Sequence, residues 1–232
     1  MKPTAPSVDQ VESWLLSPLG QSLLRAHEAR AAQLLERVFG DVAVQVGSFG
    51  PAQSFLRHAR LPHRALLAEA GGVGDLQCHA EVLALADRSV DLLLLPHTLE
   101  FTDDPLSVLR EAERVLNLGG YLWLAGMNPW GYHHVRAQFN RAARLPEQRQ
   151  VLREGVVKHW LAVLGLSLVR VERFGTEDTV WSRLKPVSGL YQMLVVKKSH
   201  ALTPIRPRRH RLPTALGSLA TPNVRSSLRR LG

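Results

Sequence analysis

Four consecutive leucines, Leu92 to Leu95, follow Val90 and Asp91 in the middle of the chain. Side chains along a strand point alternately to the two faces of a sheet, so a strand apolar at every position must be covered on both sides. That condition is met by a central strand of a parallel sheet flanked by helices. The stretch is strand-sized, far short of the ~20 apolar residues that a bilayer requires. Residues 90–95 therefore predict the centre of a layered α/β domain.

The surrounding pattern fits. Leu15, Leu16, Leu19, Leu23, Leu24, Leu34, Leu35 and Val38 recur at helical intervals over residues 11–38, with a break or restart at Pro18 to Gly20. Gly40 ends that stretch, and residues 42–46 read as a short β-branched strand. Gly47, Ser48, Phe49, Gly50 and Pro51 form a turn that can open a helix, with Pro51 at its first position. Residues 65–68 and 76–80 predict two more strands. A helix from Asp103 or Asp104 to about Leu116 carries Pro105 in its first turn and places Leu106, Leu109, Ala112, Val115 and Leu116 on one face. Strands are expected at 121–126, 168–174 and 190–197, and a helix at 147–164. Strands alternating with helices at this spacing predict a doubly wound, mostly parallel sheet.

Charge is unevenly placed. The chain has 232 residues and a formal net charge of +9, but nine of its 29 Lys and Arg lie from Lys197 onward, with no acid among them. The preceding residues balance 20 basic against 20 acidic groups. A basic arm is implied rather than a basic domain face. With scattered prolines and little periodicity, residues 199–232 read as a largely disordered tail. The lone Cys78 excludes a disulfide framework within the chain and suits a reducing cytoplasm. Neither a signal-length apolar N-terminus nor a membrane span is expected.

The segment from Ala80 to Tyr121 carries a family likeness. Glu81 and Asp91 precede the four leucines; Pro96, His97, Thr98, Leu99, Glu100 and Phe101 follow. Then come Asp104-Pro105, Leu109-Arg110-Glu111, and Arg114-Val115-Leu116 running to Gly119-Gly120. This resembles the fourth-strand region of type 11 class I S-adenosylmethionine-dependent methyltransferases, and the likeness extends over about residues 11–207. It implies a seven-stranded Rossmann-like sheet, mostly parallel with an antiparallel last strand. An N-terminal helical extension would occupy residues 1–40, the methyltransferase-like domain 41–198 and the basic tail 199–232.

The resemblance also implies a cofactor, S-adenosylmethionine, and its contacts. By position they are Gly47, Ser48 and Gly50 in the first turn, Glu69 after the second strand for the ribose hydroxyls, and His79, Ala80 and Glu81 for the adenine, with Pro96 at the end of the fourth strand. His97 and then Glu100 are the candidate general bases, because the acceptor faces the end of that strand. The chain departs from the family pattern: Gln45 stands at the position of the first acid, Phe49 and Pro51 at the second and third glycines, His79 at a common aspartate, and Leu118 at a proline. The Phe49 ring can occupy cofactor space.

Each residue has a plainer reading. Glu69 can be a solvated loop residue, the glycines a tight turn and His79 a surface histidine. His97 and Glu100 can fix the strand-to-helix turn, and Asp91 can be a hydrogen-bonding residue at a strand start. His133 and His134 are adjacent and would diverge by ~100° on a helix, against metal binding. Trp130 and Tyr132 can wall an acceptor pocket or simply pack; Arg136, Arg141 and Arg144 can meet an anionic acceptor or solvent. The leading reading is methyl transfer to a small-molecule acceptor. The alternative is a catalytically inactive methyltransferase-like module that contacts RNA or a protein through its tail. A nicotinamide oxidoreductase is disfavoured, since no G-x-G-x-x-G follows the first strand. Oligomeric state is left open.

Overall fold

The computed structural model describes residues 13, 15–50, 55–69, 72–128, 152–174 and 189–198. Helix α1 spans Pro18–Leu35, with Pro18 at its first turn and the Ser17 hydroxyl accepting from Gly20 N at 3.1 Å. The restart expected at Pro18 is thus a capped helix start. Strand β1 is Val42–Val46, and a single 3-10 turn follows at Leu56–His58; the expected opening at Pro51 lies outside the described residues. Strands β2 (His63–Ala68), β3 (Leu76–Gln77) and β4 (Val90–Pro96) come next. A short helix α2, Thr98–Phe101, follows β4, and α3 covers Pro105–Val115. Strand β5 is Leu116–Met127, α4 is Glu154–Val163, β6 is Leu166–Phe174 and β7 is Leu190–Lys197.

The seven strands lie in the order β3-β2-β1-β4-β5-β7-β6. All pairs are parallel except those made by β7, which inserts antiparallel between β5 and β6. This is the doubly wound sheet expected, with β4 central and Leu92 to Leu95 at most 1% exposed. Leu92 and Leu94 pack with α1 residues such as Leu34 and Leu35; Leu93 and Leu95 pack with α3 residues such as Leu109 and Val115. Two separate apolar layers therefore meet at one strand, as two-sided burial requires. Strand β5 begins five residues earlier than the pattern predicts. Leu116 already pairs with Val90, and the register slips before Leu92 meets Tyr121, with Gly119 at φ 83° in the irregular stretch. At the opposite sheet edge from the strand ends considered below, Asp91 accepts from Asp41 N at 2.8 Å, Val42 N at 3.1 Å and Asn117 Nδ2 at 2.6 Å.

The chain divides after Ser199 into two units, and the described residues all belong to the first.

Candidate functional site

In an open parallel sheet, ligands bind beyond the carboxyl ends of the strands where the winding direction reverses. Here that point lies between β1 and β4, which pair directly. Along this edge the order β3-β2-β1-β4 sets His79, Glu69, the Gly47–Gly50 turn and Pro96 in sequence. Gly47 (φ 87°) and Gly50 (φ 100°) both occupy the left-handed region, which a side chain would strain. The turn is tied down from behind. Gly47 N donates to Leu67 O at 2.8 Å, and Thr98 Oγ1 donates to Val46 O at 2.7 Å.

Gln45, standing where the family pattern has an acid, is 1% exposed and braces the same turn. Its Nε2 donates to Gly47 O at 3.0 Å while its Oε1 accepts from Leu56 N at 3.2 Å. An amide can do both, whereas an ionised carboxylate is acceptor-only and would face Gly47 O with no proton to give. Phe49 is 3% exposed, packed in the core that α1 covers, its ring centroid 4.1 Å from that of His97 at a 37° tilt.

Glu69 is exposed just beyond β2, and among the described residues its carboxylate makes no hydrogen bond or ion pair. His79 is exposed, bridging backbone to backbone with Val82; Ala80 is buried. Glu81 is occupied elsewhere. Its Oε1 accepts from the Thr102 hydroxyl, from Asp103 N at 3.1 Å and from Asp104 N at 3.0 Å. These bonds, that from Thr102 foremost, hold its carboxyl below the usual range. Burial pushes the neighbouring Cys78 thiol up. Ser48 is half-buried and Pro96 buried.

His97 and Glu100 are 0% and 1% exposed. His97 takes a left-handed conformation (φ 56°) as the residue before α2, a costly choice for a non-glycine residue. Its Nε2 lies 3.1 Å from His27 Nε2, and its Nδ1 lies 3.3 Å from Glu100 Oε2. Glu100 Oε1 accepts from Met127 N at 2.6 Å. Both side chains therefore face protein groups. Residues 129–151, which include Trp130, Tyr132, His133, His134, Arg136, Arg141 and Arg144, lie outside the described residues, as does the tail. Among the described residues no cluster of His, Cys, Asp or Glu is arranged to hold a metal ion.

Residues 44–124 match the model of a methyltransferase domain family. This span runs from β1 to β5 and contains the whole switch point. Over this span the chain is similar to methyltransferase domains, and the seven-stranded sheet has the fold of that class. Uncharacterized protein YafS of Escherichia coli (strain K12) is 25% identical over 196 residues, covering 81% of this chain and 80% of that protein. The ubiquinone/menaquinone biosynthesis C-methyltransferase UbiE of Xanthomonas campestris pv. campestris is 37% identical over 90 residues, 39% of this chain and 34% of that protein. Among solved structures, a SAM-dependent methyltransferase of Thermotoga maritima, described as a possible histamine N-methyltransferase, aligns with a TM-score of 0.59 and 19% identity. It covers 82% of this chain and 96% of that one.

Set against a methyltransferase's cofactor, the edge fits best at its nucleoside half. Glu69 is exposed and its carboxylate makes no hydrogen bond or ion pair among the described residues, His79 is exposed, and the glycine turn lies between them and β4. On the other half, Gly47's own N–H and carbonyl are committed within the fold. Sequence reasoning missed His27 and Gln192. Their signal was a polar residue set within an apolar face, among Leu23, Leu24 and Ala31 for one and Leu190 and Leu194 for the other.

Proposed function

We propose that this chain is an S-adenosylmethionine-dependent methyltransferase acting on a small-molecule acceptor, working in the cytoplasm. The observation that carries the reading is the exposed carboxylate of Glu69, without a hydrogen bond or ion pair among the described residues, one strand away from a turn whose two glycines hold positive φ. Glu69 would accept from the two ribose hydroxyls. Residues 47–50 would lie under the carboxylate and sulfonium portion, their small backbone allowing close approach. His79 and Ala80 would border the adenine; Glu81 shapes that segment through its grip on residues 102–104. Pro96 would close the side toward β4. When bound, the cofactor supplies a methyl group already activated by its positive sulfur. What remains for the protein is to orient the acceptor and exclude water. His97 and Glu100, wired to His27 and Met127, serve this reading by holding the turn that follows β4.

Calorimetric titration with S-adenosylmethionine and S-adenosylhomocysteine tests it. Micromolar binding is expected, weakened about tenfold or more in Glu69→Ala through loss of a charged hydrogen-bond acceptor. A second reading, a non-catalytic binding module, draws on Gln45 and the internally bonded Gly47. No binding at millimolar ligand would favour it and sink the first.

A further inference from the structure

A chain of buried polar side chains crosses from α1 to the end of β4. Gln192 on β7, His27 on α1, His97 and Glu100 are each at most 1% exposed, inside a core that is otherwise mostly apolar. The direction of every proton in it follows from one contact. Gln192 Nε2 lies 2.8 Å from the backbone oxygen of His27, so that atom is the amide NH2 and donates. The same NH2 lies 2.9 Å from His27 Nδ1, which must then be the accepting nitrogen. His27 consequently carries its proton on Nε2 and gives it to His97 Nε2. His97 must carry its own proton on Nδ1, the atom facing Glu100 Oε2 at 3.3 Å. His97 Nδ1 and Glu100 Oε2 make no hydrogen bond among the described residues, so the two meet only as a close approach of opposite polarity. The hydrogen-bonded chain thus ends at His97, beside a carboxylate whose other oxygen accepts from Met127 N.

This order matters because of where His97 sits. It is held in a left-handed conformation directly before Thr98, whose hydroxyl bonds Val46 O next to Gly47. The place a Gly47 Cβ would take is 3.4 Å from that hydroxyl. Ring packing alone does not provide the constraint: Phe49 and His27 touch the His97 ring at centroid distances of 4.1 and 4.7 Å, but neither packing contact selects a tautomer. We propose that His27 is a positioning residue for the cofactor edge: through its single Nε2 proton it locks His97, and through Thr98 the glycine turn. This rests on the cofactor reading above, and names a residue on a different element that the turn depends on.

The test uses the full chain with His27→Phe, which keeps a ring but no donor, and His27→Gln, which keeps an amide donor. Nitrogen-15 spectra of the wild type should show His27 as the Nε2–H and His97 as the Nδ1–H tautomer. His27→Phe, checked as folded by far-ultraviolet circular dichroism, should shift the amide resonances of His97, Thr98 and Gly47. It should also weaken S-adenosylhomocysteine binding about tenfold, with His27→Gln recovering most of that affinity. An Nε2–H tautomer at His97, or unchanged affinity in His27→Phe, overturns the proposal. Absence of binding in the wild type itself would instead remove the cofactor reading on which it stands.

Discussion

A histidine sealed in a core couples folding to acid. Burial first, then the neighbouring His97 and Arg30, hold the His27 pKa well below its ordinary 6.5. The folded chain keeps His27 neutral while the unfolded chain takes up a proton as pH falls through that value. The unfolded state then binds more protons, so stability must fall with falling pH, by about 1.4 kcal/mol per pH unit below ~6.5. Above ~7.5 the effect is absent. Half-buried His58 is shifted the same way and adds to the slope. Urea unfolding midpoints at pH 7.5, 6.5 and 5.5 should therefore decline in the wild type and decline less in His27→Gln, since Gln does not titrate. Equal slopes in the two proteins would show that His27 is not the group responsible. The residue itself was hidden in the sequence: its partners, His97 and Gln192, are 70 and 165 positions away, and no local spacing connects them.

Elements were far more legible than their junctions. Strand β4 and helix α3 were readable because two-sided apolarity and a one-faced apolar stripe are each dictated by the geometry of a single element. The start of β5 was misjudged because Leu116 pairs with Val90 across an irregular register, a tertiary event. The fate of Gln45 was equally non-local: it faces Leu56 N, eleven residues away, and only the folded turn reveals why an amide suits that place. Asp91 was read as a strand-start hydrogen-bonding residue, and that is how it sits. Burial raises its carboxyl pKa, but the bonds from Asn117, Asp41 and Val42 outweigh this and leave it lowered. Removing it in Asp91→Ala strands those three donors. The expected cost is about 1–3 kcal/mol in denaturant unfolding. Because Asp91 lies at the sheet edge remote from Gly47 and Glu69, cofactor affinity at a temperature where the variant is folded should be unchanged. A matching loss of affinity would mean that the two ends of the sheet are not independent.

On the scale of the whole molecule, charge and candidate site are separated along the chain. Every proposed cofactor contact falls between Gly47 and Pro96, whereas the excess positive charge falls from Lys197 onward. No helix among the described residues is long and apolar enough to cross a membrane. The RNA contact named in the alternative reading would have a sharp signature. The seven arginines of residues 199–232 meeting single-stranded RNA would give a logarithmic salt slope of at most about 5 in magnitude, at ~0.7 per phosphate neutralised. Between 50 and 200 mM salt the affinity would then drop by up to about 10³-fold. Deleting residues 199–232 tests the separation from both sides. The shortened chain should bind S-adenosylmethionine as the full chain does, because none of the residues assigned to that edge is removed. RNA retained by the full chain at low salt should be lost with the deletion, since residues 1–198 carry 22 basic against 20 acidic groups. Loss of cofactor binding on deletion would instead make the tail part of the site, and retention of RNA would place the nucleic-acid contact on the domain itself.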